Sequence, residues 1–165
     1  MKRYYYAGGE RVTIEEDKSQ VAVDVSRADA AGLQKVIAGV SGPKLPGGVM
    51  LAQRAAFDEK GLERLQKAGA LRPVFRHDSA VMVAMPAIRV EVDDEKQRQA
   101  VLDSIDKAPH PVEISEQNDD RLLLRPTSGS GDHALDVANY LHEHAHPAAA
   151  SIRFVQLVPR PDTRR

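Results

Sequence analysis

The chain has 165 residues, enough for one compact domain or two small joined ones that bury roughly 70% of the unfolded surface without covalent staples. Its 23 basic and 24 acidic residues nearly cancel, and the basic ones are scattered along the sequence, which argues against a nucleic-acid partner; the absence of cysteine excludes disulfides and thiolate metal sites. The opening decapeptide Met1 to Glu10 lacks the apolar run of a signal peptide and no segment approaches the ~18 apolar residues of a membrane span, so the expected location is cytoplasmic, without a membrane partner.

In chain order, Tyr4 to Tyr6, the Gly8-Gly9 turn and Arg11 to Ile14 have the β-formers and glycine spacing of a hairpin. Val21 to Val25 alternates at period two and predicts a strand. A helix follows, capped by Ser26 or Asp29 and carrying Leu33, Val36, Ile37 and Val40 at helical spacing. Pro43 to Gly48 breaks the pattern and Val49 to Leu51 resumes it as a short strand. Asp58 caps a helix through Leu62, Leu65 and Ala68 that ends at Gly69, and Arg72 to His77 and Val81 to Met85 flank a turn at Asp78-Ser79.

From Ile88 onward the signals are cleaner. Ile88 to Val92 alternates strictly, and a helix over about 94–107 carries Val101, Leu102 and Ile105 on one stripe. Strands at Val112 to Ser115 and Arg121 to Arg125 are joined by the polar run Glu116 to Asp120. After Ser128-Gly129-Ser130-Gly131, a helix over about 132–145 carries Ala134, Val137, Ala138, Leu141 and Ala145, and Ile152 to Val158 is the last strand. The order β-α-β-β-α-β is that of a ferredoxin-like sandwich, so the predicted class is α+β: a smaller α/β N-terminal region over 1–86, a ferredoxin-like module over 87–158 and an extended tail over 159–165.

Such a module leaves one sheet face open, yet Leu122-Leu123-Leu124 is apolar on both faces, and in the last strand Val155 and Leu157 alternate with Ile152 and Phe154. Apolar groups on both faces require a second cover, which can be the N-terminal half, a twin subunit or a protein partner.

The segment Ile88 to Val158 resembles the propeptide inhibitor domains of subtilisin-type serine proteases. The resemblance rests on Asp120-Arg121-Leu122-Leu123-Leu124-Arg125-Pro126, then Ala134-Leu135-Asp136-Val137-Ala138-Asn139-Tyr140-Leu141, then His146-Pro147 through Phe154-Val155-Gln156. Leu71-Arg72-Pro73-Val74-Phe75 through Arg89-Val90 also looks like sequence preceding the mature part of some bacterial subtilases. The resemblance implies a subtilisin-family serine protease as partner. The open face, through Val112, Ile114, Leu123, Val155 and Leu157, would press on two surface helices of the enzyme, and Glu116, Asp119 and Asp120 would cap their N-termini, where a carboxylate gains ~0.3–1 kcal/mol. The tail, beginning Val158-Pro159-Arg160, would lie along the substrate cleft. Its two prolines favour extended backbone and withhold two donors from strand addition. No protease domain follows in this sequence, so action in trans is expected, as a non-covalent inhibitor or folding chaperone without chemistry of its own.

Candidate catalytic and metal motifs are incomplete. His142 and His146 are four apart on a helix, but Pro147 ends it and no further ligand stands at suitable spacing; Ser128 to Gly131 lacks the strand-turn-helix setting of a nucleophile elbow, and Gly42 to Gly48 lacks the Gly-Lys-Ser/Thr ending of a phosphate loop. The expectation is therefore a binding protein with no catalytic residues, no metal and no cofactor. A second function class fits the same pattern: a ferredoxin-like regulatory or adaptor module that forms a homodimer by pairing sheets or binds a small ligand.

Overall fold

The computed structural model describes residues 2–157. In chain order these form β1 (Lys2–Ala7), β2 (Glu10–Glu16), β3 (Gln20–Asp24), α1 (Val25–Ala30), α2 (Gln34–Ile37), β4 (Lys44–Leu45), β5 (Val49–Gln53), α3 (Glu59–Lys67), β6 (Leu71–Arg72), β7 (Val74–His77), β8 (Ala80–Glu91), α4 (Glu95–Ile105), β9 (Val112–Gln117), β10 (Arg121–Pro126), α5 (Gly131–Ala145) and β11 (Ala149–Leu157). The fold is mixed α+β, and its strands form two antiparallel sheets. Among the described residues no helix is long and apolar enough to cross a membrane.

Local chemistry sets most boundaries. Gly8 and Gly9 both take positive φ, 58° and 82°, as a two-residue primed hairpin turn between β1 and β2 requires. Asp58 caps α3 by accepting from the Gly61 amide, Asp94 caps α4 by accepting from the Gln97 amide, and Ser130 caps α5. The single helix expected after β3 is instead two short ones. Asp24, not Ser26 or Asp29, caps the first, and Gly32 at φ 73° turns the chain between them.

The small sheet runs β4-β5-β3-β6, and the large one runs β1-β2-β7-β8 and on to β10-β9, with β11 on the other edge of β8. Pro73 passes the chain between them, with β6 pairing β3 before it and β7 pairing β2 and β8 after it. The expected strand Arg72 to His77 is thus divided between two sheets.

β8 is the spine of the molecule. The two strands expected on either side of residue 86 are one strand of 12 residues, so the domain boundary between 86 and 87 falls inside it. Pro86 is accommodated by an irregularity. Ile88 pairs Ile152 and Ala84 pairs Phe154, which leaves Met85-Pro86-Ala87 opposite Arg153 alone, where a missing N–H disturbs no ladder bond.

Three apolar layers follow from strand alternation. Met82, Ala84, Ile88 and Val90 of β8, with Leu122, Leu124 and Ile152, face α4 and α5; Val81 and Val83, with Val74 and Val155, face Ala22, Val49 and Leu51 of the small sheet. The far side of the small sheet, through Val21 and Val23, packs on Ala28 of α1, Leu33 just before α2 and Leu65 of α3. The order is helices, sheet, sheet, helices, and each fully buried Leu, Ile or Phe contributes about 1.5–3 kcal/mol. The β1-β2 hairpin lies across α5. Arg3 reaches Asp132 and Asp136 at 2.9 and 2.7 Å, Tyr6 donates to Glu143 at 2.8 Å and Asn139 donates to the Tyr4 carbonyl at 2.9 Å.

Candidate functional site

The small sheet covers only part of the large one. Its inward residues meet β8 before the Pro86 irregularity, at Val81 and Val83, so β8 beyond Ala87 and the facing parts of β9, β10 and β11 keep a face open to solvent. The second cover that the apolar pattern calls for is therefore supplied by the chain's own N-terminal half, and it stops midway along the sheet.

On the open part the same period-two rule that buries Leu122, Leu124 and Ile152 on the helix side turns Arg121, Leu123, Arg125 and Arg153 outward. A groove of about 430 Å³ runs over this face, lined by Arg89, Ser115, Leu123, Arg125, Ser151 and Arg153. The Arg89 guanidinium pairs with Glu91 at 2.9 Å. Ser115, at the register shift between β9 and β10, donates its hydroxyl to the Leu123 carbonyl at 3.1 Å. The face thus combines one half-exposed leucine with arginine forks, a composition suited to a partner that offers carboxylates around an apolar contact.

The acidic loop is anchored from behind. Asn118 donates its amide to the Arg121 carbonyl at 2.8 Å and Val92 donates to the Asp120 carbonyl at 2.9 Å. Arg98, buried on α4, donates from Nη2 to the Asn118 carbonyl. Asp119 and Asp120 are exposed on this fixed turn, and Glu116 stands opposite Leu123 at the edge of the open face.

The other residues expected to dock divide. Leu123 is on the open face. Val112 is half-buried and packs toward the helix-side core, and Ile114, 43% exposed, stands opposite buried Leu124 at the edge strand. Val155 is only 5% exposed and belongs to the inter-sheet core, so its expected place on a free surface is corrected: the small sheet occupies that part of the face. Leu157, 37% exposed, pairs with Val81 near the end of β11, and Val158, Pro159 and Arg160 lie outside the described residues. The arginines of the groove were not anticipated. They are far apart in sequence, and what gathers them is strand pairing; the one signal for them is their period-two alternation with buried leucine and isoleucine.

Two side-chain groups elsewhere have chemical potential. Ser128 Oγ lies 2.7 Å from His133 Nδ1, and His133 stacks on His110 at 3.7 Å. Burial, then the neighbouring His110, pulls the His133 pKa down. The Asp136 carboxylate bonds His110 rather than His133, so among the described residues the pair lacks a third group to orient the base, and the Ser128 hydroxyl accepts from the Ser130 amide at the start of α5. On the same helix His142 stacks on Tyr6 at 3.8 Å, which ties the helix to its hairpin, and the His146 backbone takes the left-handed conformation that ends α5.

Compared with protein-family models, with curated proteins and with solved structures, the chain finds no match.

Proposed function

We propose that the chain is a propeptide-like, non-covalent inhibitor of a subtilisin-type serine protease that docks through the open end of its large sheet. The observation that carries this reading is the strand order β11-β8-β10-β9, all antiparallel, with α4 and α5 on one face and the far half of the other face free. Numbered from β8 as first strand, that order is 4-1-3-2, which supports assigning the module to the ferredoxin-like class of those propeptides. The fixed acidic turn supports the reading as well. A carboxylate presented on a rigid loop has less to lose in ordering when it caps a partner's helix.

In this reading the contact is smaller than the whole sheet face. It centres on Leu123, is flanked by Glu116, Asp119 and Asp120, and excludes Val155. The tail over 159–165, outside the described residues, supplies the cleft-filling segment, and sheet contact and tail add through effective concentration.

The test is inhibition and binding against a panel of subtilisin-type proteases, with wild type, the Asp119→Lys/Asp120→Lys double variant and a chain ending at Val158. The expected result is saturable inhibition by wild type, weaker binding by the charge-reversed variant at an unchanged melting temperature, and binding without active-site inhibition by the shortened chain. Absence of binding to every protease in the panel, or equal affinity of the charge-reversed variant, overturns the reading.

A further inference from the structure

We infer that the junction between the two halves of the molecule is a binding site for a phosphate-class oxyanion. A cavity of about 180 Å³ opens beside the Pro86 irregularity, next to the groove, and four arginines from four elements line it: Arg27 of α1, Arg72 of β6, Arg125 of β10 and Arg153 of β11. Among the described residues Asp24 is the single carboxylate in the lining, so these side chains carry a surplus of three positive charges.

That carboxylate is already engaged. Asp24 Oδ2 accepts from Arg72 Nη2 at 3.1 Å, and Oδ1 accepts from the Arg27 amide at 3.1 Å as the cap of α1. Among the described residues no carboxylate lies within ion-pair distance of the guanidinium of Arg27, Arg125 or Arg153. Like charges gathered without counter-charge repel, which is an arrangement suited to an anion that is not part of the chain.

The cavity is built rather than a chance gathering of mobile side chains. Arg72 is only 3% exposed and is held by donation from Nη1 to the Gly69 and Gly129 carbonyls, while its Nε is buried without a partner among the described residues. Burial lowers the Arg72 pKa, Asp24 opposes that, and Arg27 lowers it further, so the neighbouring guanidinium is close enough to be felt. Arg27 in turn rests against two glycines. A Cβ on Gly69 would stand 2.8 Å from its Nη1 and one on Gly129 3.0 Å from it, and both glycines have positive φ, 69° and 71°. The positive φ favours glycine at both positions, and the missing Cβ leaves the Arg27 guanidinium its place.

The ligand class follows from charge and shape. Guanidinium forks match pairs of oxygens on phosphate or carboxylate. A monoanionic carboxylate would leave two positive charges uncompensated, whereas a phosphate dianion leaves one. The inference does not depend on the protease reading, since it concerns a small anion and a cavity that need no protein partner.

The test is titration of the full chain at low ionic strength with inorganic phosphate, glycerol phosphate, acetate and a short oligonucleotide, followed by amide NMR shifts and calorimetry. The variants are Arg125→Ala and Arg153→Ala, whose side chains are exposed. Saturable phosphate binding that perturbs the amides around Arg27 and Gly129 is expected, with acetate about tenfold weaker and each variant weakened by about tenfold at an unchanged melting temperature. Glycerol phosphate binding as tightly as the free ion would make the ligand a phosphorylated small molecule, and weaker binding would assign the free ion. Unsaturable binding, acetate as tight as phosphate, wild-type affinity in both variants, or binding of the oligonucleotide alone overturns the inference.

Discussion

Arg72 donates from Nη1 to the carbonyl of Gly129 at 3.2 Å, a buried hydrogen bond that joins residues 57 positions apart and ties the small sheet to the loop before α5. The same guanidinium bonds the Gly69 carbonyl and the Asp24 carboxylate, so one side chain satisfies acceptors from both halves. Arg72→Met keeps length and apolar bulk but leaves these acceptors unpaired. It is expected to destabilise the fold by about 2–4 kcal/mol in urea unfolding, the range for stranding a partly buried charge and its carbonyl neighbours. A loss below about 1 kcal/mol would show that water takes over those bonds and that the joint is held by the inter-sheet core instead.

Gly131 begins α5 against β8. A Cβ at this position would stand well inside contact distance of the Ala84 carbonyl oxygen, on backbone that cannot swing aside. Gly131→Ala should cost about 1–3 kcal/mol despite the better helix propensity of alanine, because overpacking against the spine strand outweighs propensity. Gly8→Asn is the control. The space around Gly8 is open and asparagine tolerates its positive φ, so unfolding midpoints should fall for the first variant and stay nearly constant for the second.

The contrast between legible and hidden elements has a physical basis. α4 and α5 are readable because a cap, an apolar stripe and a stop signal agree within each segment, and their observed spans, Glu95–Ile105 and Gly131–Ala145, lie within two residues of the expected ones. The division after β3 is hidden because Leu33, Val36 and Ile37 keep helical spacing directly after the expected caps, and Gly32, which turns the chain, interrupts no apolar period. The continuity of β8 is hidden because Pro86 reads as a breaker until β11 is seen to skip past it. At the site, the acidic turn is legible from its composition. The arginine cluster is not, because Arg27, Arg72, Arg125 and Arg153 share no local period, and only the pairing of β8 with β10 and β11 and the crossing at Pro73 bring them to one cavity.

The turn between β2 and β3 carries an acid-sensitive anchor. Burial would raise the Asp17 pKa, but donation from Ser19, Arg76 and Gln20 outweighs it and holds the carboxyl well below the usual carboxylate range. A carboxylate more acidic in the folded chain than in the unfolded one contributes stability above the unfolded value that is lost as pH falls toward the folded one. Wild type should therefore exceed Asp17→Asn in unfolding midpoint at about pH 6, with the gap narrowing toward about pH 3. A gap independent of pH would mean that the ion pair with Arg76, 2.7 Å long, contributes through shape and not charge.

Leu123 and Val155 present the clearest separation of docking from packing, since both were expected on one surface and the small sheet divides them. Val155 packs with Val81 and Val83 between the sheets, and Leu123 points into the open groove beside Ser115. Val155→Ala is expected to lower stability by about 1.5–3 kcal/mol, through lost burial and the void left between layers that cannot close, while leaving the affinity of the folded fraction for a protease partner unchanged. Leu123→Asp should do the reverse. A half-exposed position shifts stability by less than about 1 kcal/mol, yet Leu123→Asp removes the apolar anchor of the proposed contact and sets a carboxylate against Arg125 and Arg153 in place of the partner's, which weakens binding by tenfold or more, about 1.4 kcal/mol. Urea unfolding and equilibrium binding on the same two variants read both quantities. Weakened binding by the Val155 variant in its folded state would mean that the partner contacts the covered half of the sheet, which requires the small sheet to separate from β8 when the complex forms.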